Sequence, residues 1–303
     1  MKYVVTGGAG FIGSNLVDEL IKQKHEVHVI DNFSSGRKEN CNPGAIYHNW
    51  DISDNNQYKN FIKIMQYTDT VFHCAALARV QPSINDPIKY EINNTIGTMN
   101  MLKSASDSNV RRFVYSASSS AYGPTENLPS YEHDPSNPIS PYASQKYYGE
   151  ICCKMFFEVY SLETISLRYF NIYGERQNLG GAYATVIGVF IKQCLDDLPM
   201  TINGDGNQRR DFTYVGDVVR ANILAAKSKK VGKGEVINIG TGNNISINKV
   251  AKLIGNNITY RQPLNEPLAN LADTTKAKKL LDWEPLVQLE DWIVNYKTKI
   301  GLN

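Results

Sequence analysis

An α/β fold built on a doubly wound parallel sheet is what this sequence predicts, on two observations. Short apolar runs alternate with longer segments of helical period through the first half of the chain. Several of those runs are apolar on consecutive residues, the pattern of strands covered by helices on both faces. A third observation, a glycine-rich turn directly after the first run, marks where such a sheet would take a ligand.

Strands are expected at Tyr3–Thr6, Val27–Ile30, Ile46–Trp50, Thr70–Cys74, Phe113–Ser116 and Thr164–Tyr169. The rhythm breaks after about Gly174, where a helix-like stretch, Ala182–Leu195, leads into the polar turn "NGDGNQRRDF". The expected division is therefore a first domain over residues 1–174 and a smaller C-terminal α/β domain over residues 175–303. A strand-like "EVINIGTG" (Glu235–Gly242) is expected to return to the first domain, so that the two interleave.

The 303 residues suffice for a large core, and 42% hydrophobic content is ordinary for a globular chain. With 32 basic and 30 acidic side chains there is no electrostatic case for nucleic acid or an anionic membrane, and small-molecule chemistry is the better default. Cys41, Cys74, Cys152, Cys153 and Cys194 have neither the even count of a disulfide framework nor a C-x-x-C spacing, so they read as free thiols in a reducing compartment. The start "MKYVVTGG" lacks the pattern of a signal peptide and no later run is long and apolar enough for a bilayer, so a soluble, cytoplasmic protein is expected. The histidines show no metal spacing, no metal is expected, and His73 reads as a satisfied core residue.

The first run enters "TGGAGFIG", with Gly7, Gly10 and Gly13 ahead of an amphipathic segment from Phe11 to Lys24. Glycines at this spacing allow a tight turn, close approach to a pyrophosphate and helix packing on the strand, with the helix N-terminus facing the negative charge. Asp31, 18 residues beyond Gly13 at the end of the second strand, sits where a carboxylate would hold ribose hydroxyls, and it favours NAD over NADP. Arg37 and Lys38 argue the other way but read more simply as a solvated loop. Asp51 and Ile52 follow the third strand, where an adenine pocket would form, although Asp51 would equally suit a helix N-cap.

In "SPYASQKYYGE" Ser140 suits an N-cap and Pro141 the first helical position, which puts Tyr142 and Lys146 on one face of a helix. A tyrosine four residues before a lysine is expected about once by chance in this chain, so the spacing needs its context. That context is "YSASSSAYG" (Tyr115–Gly123) at the end of the fifth strand.

Together the glycine turn, Asp31, "HCAALARV" (His73–Val80), "NTIGT" (Asn94–Thr98), the serine cluster, Tyr142-x-x-x-Lys146 and "RYFNIYG" (Arg168–Gly174) resemble the extended short-chain dehydrogenase/reductases. The likeness is to their nucleotide-sugar epimerase/dehydratase group, and "GDGNQRRDFTYVGDV" and "ADTTKAKKLLDWEP" extend it over nearly the whole chain. The resemblance implies a Rossmann-type sheet binding NAD through Gly7, Gly10, Phe11, Ile12 and Gly13, with Asp31, Asn32, Asp51 and Ile52 around the adenosine. It places Ala75, Ala76, Asn94, Tyr169, Tyr142 and Lys146 along the rest of the cofactor. Tyr142 is implied to be the base, Lys146 its partner and Ser118 the hydroxyl that bridges to the sugar. Positive charge from Lys146 and the oxidised nicotinamide would favour a phenolate, which free in water forms only at about pH 10.

For substrate, the resemblance implies contacts from Asn171, Arg210 and Glu266 to a nucleotide sugar, expected to be UDP-linked, while Arg209 reads as a surface residue. Arg261 is displaced from the family's second phosphate-binding arginine, and Asn265 stands where the family has glycine. Asn270, three residues before Asp273, falls at the position whose size limits the sugar's C2 substituent, and it is small enough to admit an N-acetyl group. Sugar dehydratases and decarboxylases of the group carry an acid after the serine, where this chain has Ser119 and Ser120. The implied activity is thus 4-epimerisation of a UDP-hexose. Another nucleotide-sugar enzyme (decarboxylase, 4,6-dehydratase or 4-reductase) and a silent NAD-binding regulatory protein are the alternatives. Relatives commonly form homodimers through a four-helix bundle that would use the helices near Tyr90–Asp107 and after Lys146.

Overall fold

The computed structural model describes residues 1–125, 127–181, 184–263 and 267–302. Six strands alternate with helices in the first part: β1 (Lys2–Thr6), β2 (Glu26–Ile30), β3 (Ile46–His48), β4 (Thr70–His73), β5 (Arg112–Ser118) and β6 (Glu163–Tyr169). A seventh strand, Lys233–Ile239, pairs with β6 from far along the chain. The order across the sheet is Lys233–Ile239, β6, β5, β4, β1, β2, β3, and every pairing is parallel. Strand order reverses between β1 and β4, so the crevice of this Rossmann-type sheet opens beyond their carboxyl ends.

The consecutive apolar residues of β1 have a direct cause. Tyr3 and Val5 enter one core with α1 (Phe11–Lys22), while Val4 enters the other with α2 (Tyr58–Met65). A strand with both faces buried has no solvent side on which to alternate. Two short helices, α3 (Val80–Asn85) and α4 (Pro87–Glu91), lead through a π-helical turn, Ile92–Ile96, into α5 (Gly97–Asp107). The long α6 (Pro141–Tyr160) packs on the same face as α2 and α5. Ser140 caps it as expected, its hydroxyl accepting from the Ala143 N–H at 3.2 Å, with Pro141 in the first turn.

Several expected strand bounds differ from those observed, two of them for a visible reason. β3 stops at His48, where the Trp50 N–H turns back to the His48 carbonyl at 3.0 Å and the indole leaves the sheet. β5 runs two residues further than its apolar run, because Ala117 and Ser118 pair with Arg168 and Tyr169 of β6.

Beyond β6 the chain builds a second core around α7 (Val186–Leu195). Thr185 starts α7 by accepting from the Gly188 N–H at 3.1 Å, later than the expected start at Ala182, which lies outside the described residues with Tyr183. Next, α8 (Val215–Lys227) returns to the face of α1. Buried Arg112 of β5 donates to the carbonyls of Ala225, Ala226, Ser228 and Val231, satisfying the open end of α8 and its exit loop. The remaining helices are α9 (Ile247–Ile254), α10 (Thr275–Leu281) and α11 (Leu289–Ile300); α10 joins α1 and α8, whereas α9 and α11 join the second core. Among the described residues no helix is long and apolar enough to cross a membrane.

Close approach of α6 to β5 depends on Gly149, where an added Cβ would stand 2.3 Å from the fully buried Tyr115 ring. Alanine would gain about 1 kcal/mol in helix propensity but overpack a rigid ring at a cost of about 1–3 kcal/mol. Gly149→Ala should therefore lower stability by up to about 2 kcal/mol, read from the urea midpoint at unchanged slope.

Candidate active site

A cavity of about 850 Å³ runs along the carboxyl ends of β1, β2, β4, β5 and β6 and on to the second core. At one end the glycine turn forms its floor. Gly7 has φ +70°, and a Cβ there would lie 2.7 Å from the Ala75 nitrogen; a Cβ on Gly13 would lie 2.2 Å from the Gly7 carbonyl oxygen. Only glycines let α1 approach the turn this closely, and Phe11 and Ile12 begin α1 on the wall with no acidic residue in its first turn. The cradle is thus shaped for a pyrophosphate, and the residues present fit NAD.

Asp31 lines the same end and accepts from the backbone N–H groups of Ala9 (2.9 Å) and Phe33 (2.8 Å). Burial pushes its carboxyl above the ordinary range, against the pull of those two donors. Asn32 and Ile52 also reach the wall, joined by Trp50, which sequence reasoning left in β3. Asp51 does not. Its carboxylate accepts from the Ser53 N–H and hydroxyl at 2.8 and 2.6 Å and from Asn32 at 2.9 Å, so it braces Asn32 from behind.

Asn94 is likewise a support rather than a wall residue. Buried in the π turn, it accepts from the Leu77 N–H at 2.8 Å and donates to the Leu77 carbonyl and to Gln145, each at 3.0 Å. Every polar atom of its amide is used inside the protein, and what it positions is the loop carrying Ala75 and Ala76 along the cavity.

At the centre, Lys146 is buried, with Nζ donating to the Ser116 carbonyl at 2.8 Å and lying 5.0 Å from the Tyr115 ring centroid. Burial brings its ammonium down to about 8. One turn earlier Tyr142 faces the cavity, its N–H donating to the Ser83 hydroxyl at 3.2 Å. Burial pushes the phenol up, while a hydrogen bond with Ser118 and the charge of Arg79 pull it down.

Ser118, the last residue of β5, accepts from the Ser120 N–H at 3.2 Å and from the Ser120 hydroxyl at 2.8 Å. Ser120 thereby fixes the Ser118 oxygen, which singles out Ser118 among the three serines. Tyr169 closes this part of the wall, its hydroxyl bonded to Ser116 (3.2 Å) and Asn222.

From the second core come Asn171, Arg210 and Asn270, all on the wall. Asn171 donates to the Asp211 carbonyl at 2.7 Å and to the Asn270 side-chain oxygen at 3.1 Å, and that oxygen also accepts from the Asp211 N–H at 2.9 Å. Arg209 points away, held by Asn244 at 2.6 Å, and Arg261 is not among the described wall residues. Glu266 and Asn265 lie outside the described residues. Arg37 lines the cavity and donates to Asn178 of the opposite wall at 3.0 Å, so it is more than a solvated loop residue. Arg79, which lies in "HCAALARV" and was given no separate role, also lines the cavity and has φ +87°.

His73 takes no part in the wall. Its nitrogens bond the hydroxyls of Thr6 (2.8 Å) and Thr98 (3.0 Å), and burial lowers its affinity for a proton to a pKa of about 3. The described residues hold no cluster suited to a metal ion. Because the folded state refuses a proton that the unfolded chain binds below about 6.5, this histidine's contribution to stability falls with pH from about 6.5 toward 3, by up to about 1.4 kcal/mol per unit. His73→Gln should flatten that slope in urea titrations repeated at several pH values.

Known proteins share this architecture. The model of the NAD dependent epimerase/dehydratase family matches residues 3–240. The UDP-glucose 4-epimerase of Thermotoga maritima, solved with UDP-glucose, is 38% identical with a TM-score of 0.93, covering 99% of this chain and 100% of that one. The UDP-N-acetylglucosamine 4-epimerase of Methanobrevibacter ruminantium M1, solved with UDP-N-acetylmuramic acid, is 35% identical with a TM-score of 0.92, covering 99% and 98%. A UDP-glucose 4-epimerase of Lactobacillus helveticus is 33% identical over 305 residues, 94% of this chain and 92% of that protein. With its glycine cradle, its Tyr142 and Lys146 on one cavity wall and this likeness along its length, the chain belongs to the NAD dependent epimerase/dehydratase family and uses NAD as its cofactor.

Proposed function

We propose that the protein inverts C4 of a UDP-hexose, with UDP-glucose/UDP-galactose and their N-acetylated counterparts as the substrates. One observation carries the choice of reaction. Among the described residues lining the cavity the only carboxylate is Asp31, which sits at the glycine turn with two backbone donors. Expelling a hydroxyl from the sugar needs an acid beside Tyr142, and the neighbours there are Ser118, Ser119 and Ser120. The UDP group follows the named relatives.

In this reading Tyr142 removes the O4 proton and Ser118, its oxygen fixed by Ser120, relays it. Lys146 holds positive charge under the phenolate and is placed to bond a ribose of the cofactor. NAD, when bound, supplies hydride exchange at C4 without net redox change, so it stays with the protein through turnover. Arg210 serves the diphosphate through its guanidinium fork, and Asn171 and Asn270 face the sugar. Glu266, outside the described residues, takes the nucleotide's ribose by the family resemblance.

The helical face formed by α4, the π turn, α5 and α6 exposes Ile88, Ile92, Ile96, Ile151 and Val159, which supports a homodimer through a four-helix bundle.

Incubation with UDP-glucose, UDP-GlcNAc or UDP-glucuronic acid plus NAD+ and no reductant, with products identified by NMR, tests the proposal. A C4-inverted sugar is expected; a 4-keto-6-deoxy or decarboxylated product overturns it. Tyr142→Phe should lower kcat by about 10²–10⁴ while NAD binding persists. Asn270→Tyr should suppress turnover of UDP-GlcNAc at least about tenfold more than that of UDP-glucose, since loss of the Asn270 bonds to Asn171 and Asp211 weakens both substrates while the volume clash falls on the C2 substituent.

A further inference from the structure

Two loops from opposite sides of the cavity meet beside the glycine turn. In the loop after β2, Gly36 packs so closely that an added Cβ would stand 2.9 Å from both the Asp31 carboxylate and the Ala9 side chain. The Arg37 N–H then donates to the Ala9 carbonyl at 2.9 Å, and the Asn40 side chain donates to the same oxygen at 3.0 Å. Arg37 is thus fixed through its backbone next to the cradle and to Asp31.

Residues 174–179, beyond β6, are fastened to the second core. Leu179 packs on that core, the Gln177 side-chain oxygen accepts from the Thr185 hydroxyl at 2.9 Å, and the Asn178 carbonyl oxygen stands 2.3 Å from where a Cβ on Gly188 would be. The same segment crosses α1. Asn15 donates to the Glu175 carbonyl at 3.1 Å, and Asp18, which is not among the wall residues, accepts from Arg176 and from Asn42 of the β2 loop, each at 2.6 Å. Asp18 therefore ties both loops to one helix behind the wall. In front of it the Arg37 guanidinium donates to the Asn178 side-chain oxygen at 3.0 Å, 141 residues apart, and both side chains line the cavity. The Arg37 side chain is 51% exposed, so this bond lies where the cavity meets solvent.

We propose that Arg37 and Asn178 are the clasp of the NAD site, a bond from the cofactor side to the substrate side that must open before NAD leaves. The proposal rests on the cofactor of the family and not on the choice of sugar. A single half-exposed hydrogen bond adds little to global stability, yet it acts in full on an escape that has to break it. Because Asp18 already holds the two loops together, closing the clasp orders only one arginine and one asparagine side chain. Glu39, 3.8 Å from the guanidinium on the same loop, does not bridge the crevice.

The experiment loads the protein with radiolabelled NAD+, chases with excess unlabelled NAD+ and follows the bound label by rapid desalting. Arg37→Ala and Asn178→Ala should each speed release about threefold to tenfold, and the double variant should be no faster than the faster single one, since one bond is lost only once. Unchanged release in both single variants overturns the proposal. Acceleration by Arg37→Ala alone also overturns it and reassigns the guanidinium to direct contact with the cofactor's phosphates. Effects that multiply in the double variant make the two residues independent contacts, and release rates that simply track lowered urea midpoints make them structural; either result overturns the clasp. If release accelerates as expected while the wild-type protein turns over no UDP-hexose, the clasp stands and the proposed function falls.

Discussion

Burial of the Lys146 ammonium is the constraint around which this site is organised. A cation taken out of water needs compensation close by, and the chain provides it from β5: the Ser116 carbonyl accepts the ammonium and the Tyr115 ring lies against it. Both partners are backbone or core features of one strand, so α6 must lie close to β5 along this stretch, and Gly149 is the residue that permits it. Once α6 is seated in this way, Tyr142 has no independent freedom. It stands one turn from Lys146, beside the strand-terminal Ser118 and against the Ser83 hydroxyl of α3.

The same helix is fixed further along by a buried ion pair. Glu150 accepts two hydrogen bonds from Arg168 of β6, whose guanidinium lies 4.4 Å from the Tyr122 ring centroid. Tyr122 ends the turn begun by the serine cluster and donates to Asn238 of the strand that returns to the sheet. Removing one partner from such a pair is far more damaging than its net worth, since it strands a charge in the core. Helix α6, β6 and the serine turn are thereby held in one arrangement.

On the substrate side a different group does the corresponding work. Buried Asp211 accepts from Thr241, Gly242 and Ala272, pulling three distant stretches together. Its backbone groups then engage Asn171 and Asn270, and Arg210 precedes it directly. Arg168 and Asp211 are both structural charges that sit next to residues proposed to touch ligand, and neither is itself on the cavity wall.

The strands were legible because residues buried on both faces must be apolar in succession, and the glycine turn and the capped start of α6 were legible because backbone geometry demands those residue types. The resemblance of the motifs then located the wall residues from Gly7 to Asn270. Asp51 and Asn94 stand behind the cavity wall for a physical reason: a short polar side chain satisfies a neighbouring protein group as readily as a ligand, and only the packing around it decides where it points. The last residues of β5 are polar and carry no strand signal, so their pairing with β6, and with it the position of Ser118, came from the sheet. Arg79 lies inside the quoted "HCAALARV", but its place on the cavity wall follows from a loop held by Asn94, Tyr90 and Ser83, residues that local sequence does not connect to it. Local pattern determined the elements and the chemistry available at their ends. Which of those groups meet across the cavity was decided by tertiary contacts between distant segments, where hydrogen-bond satisfaction and burial act on the whole fold at once.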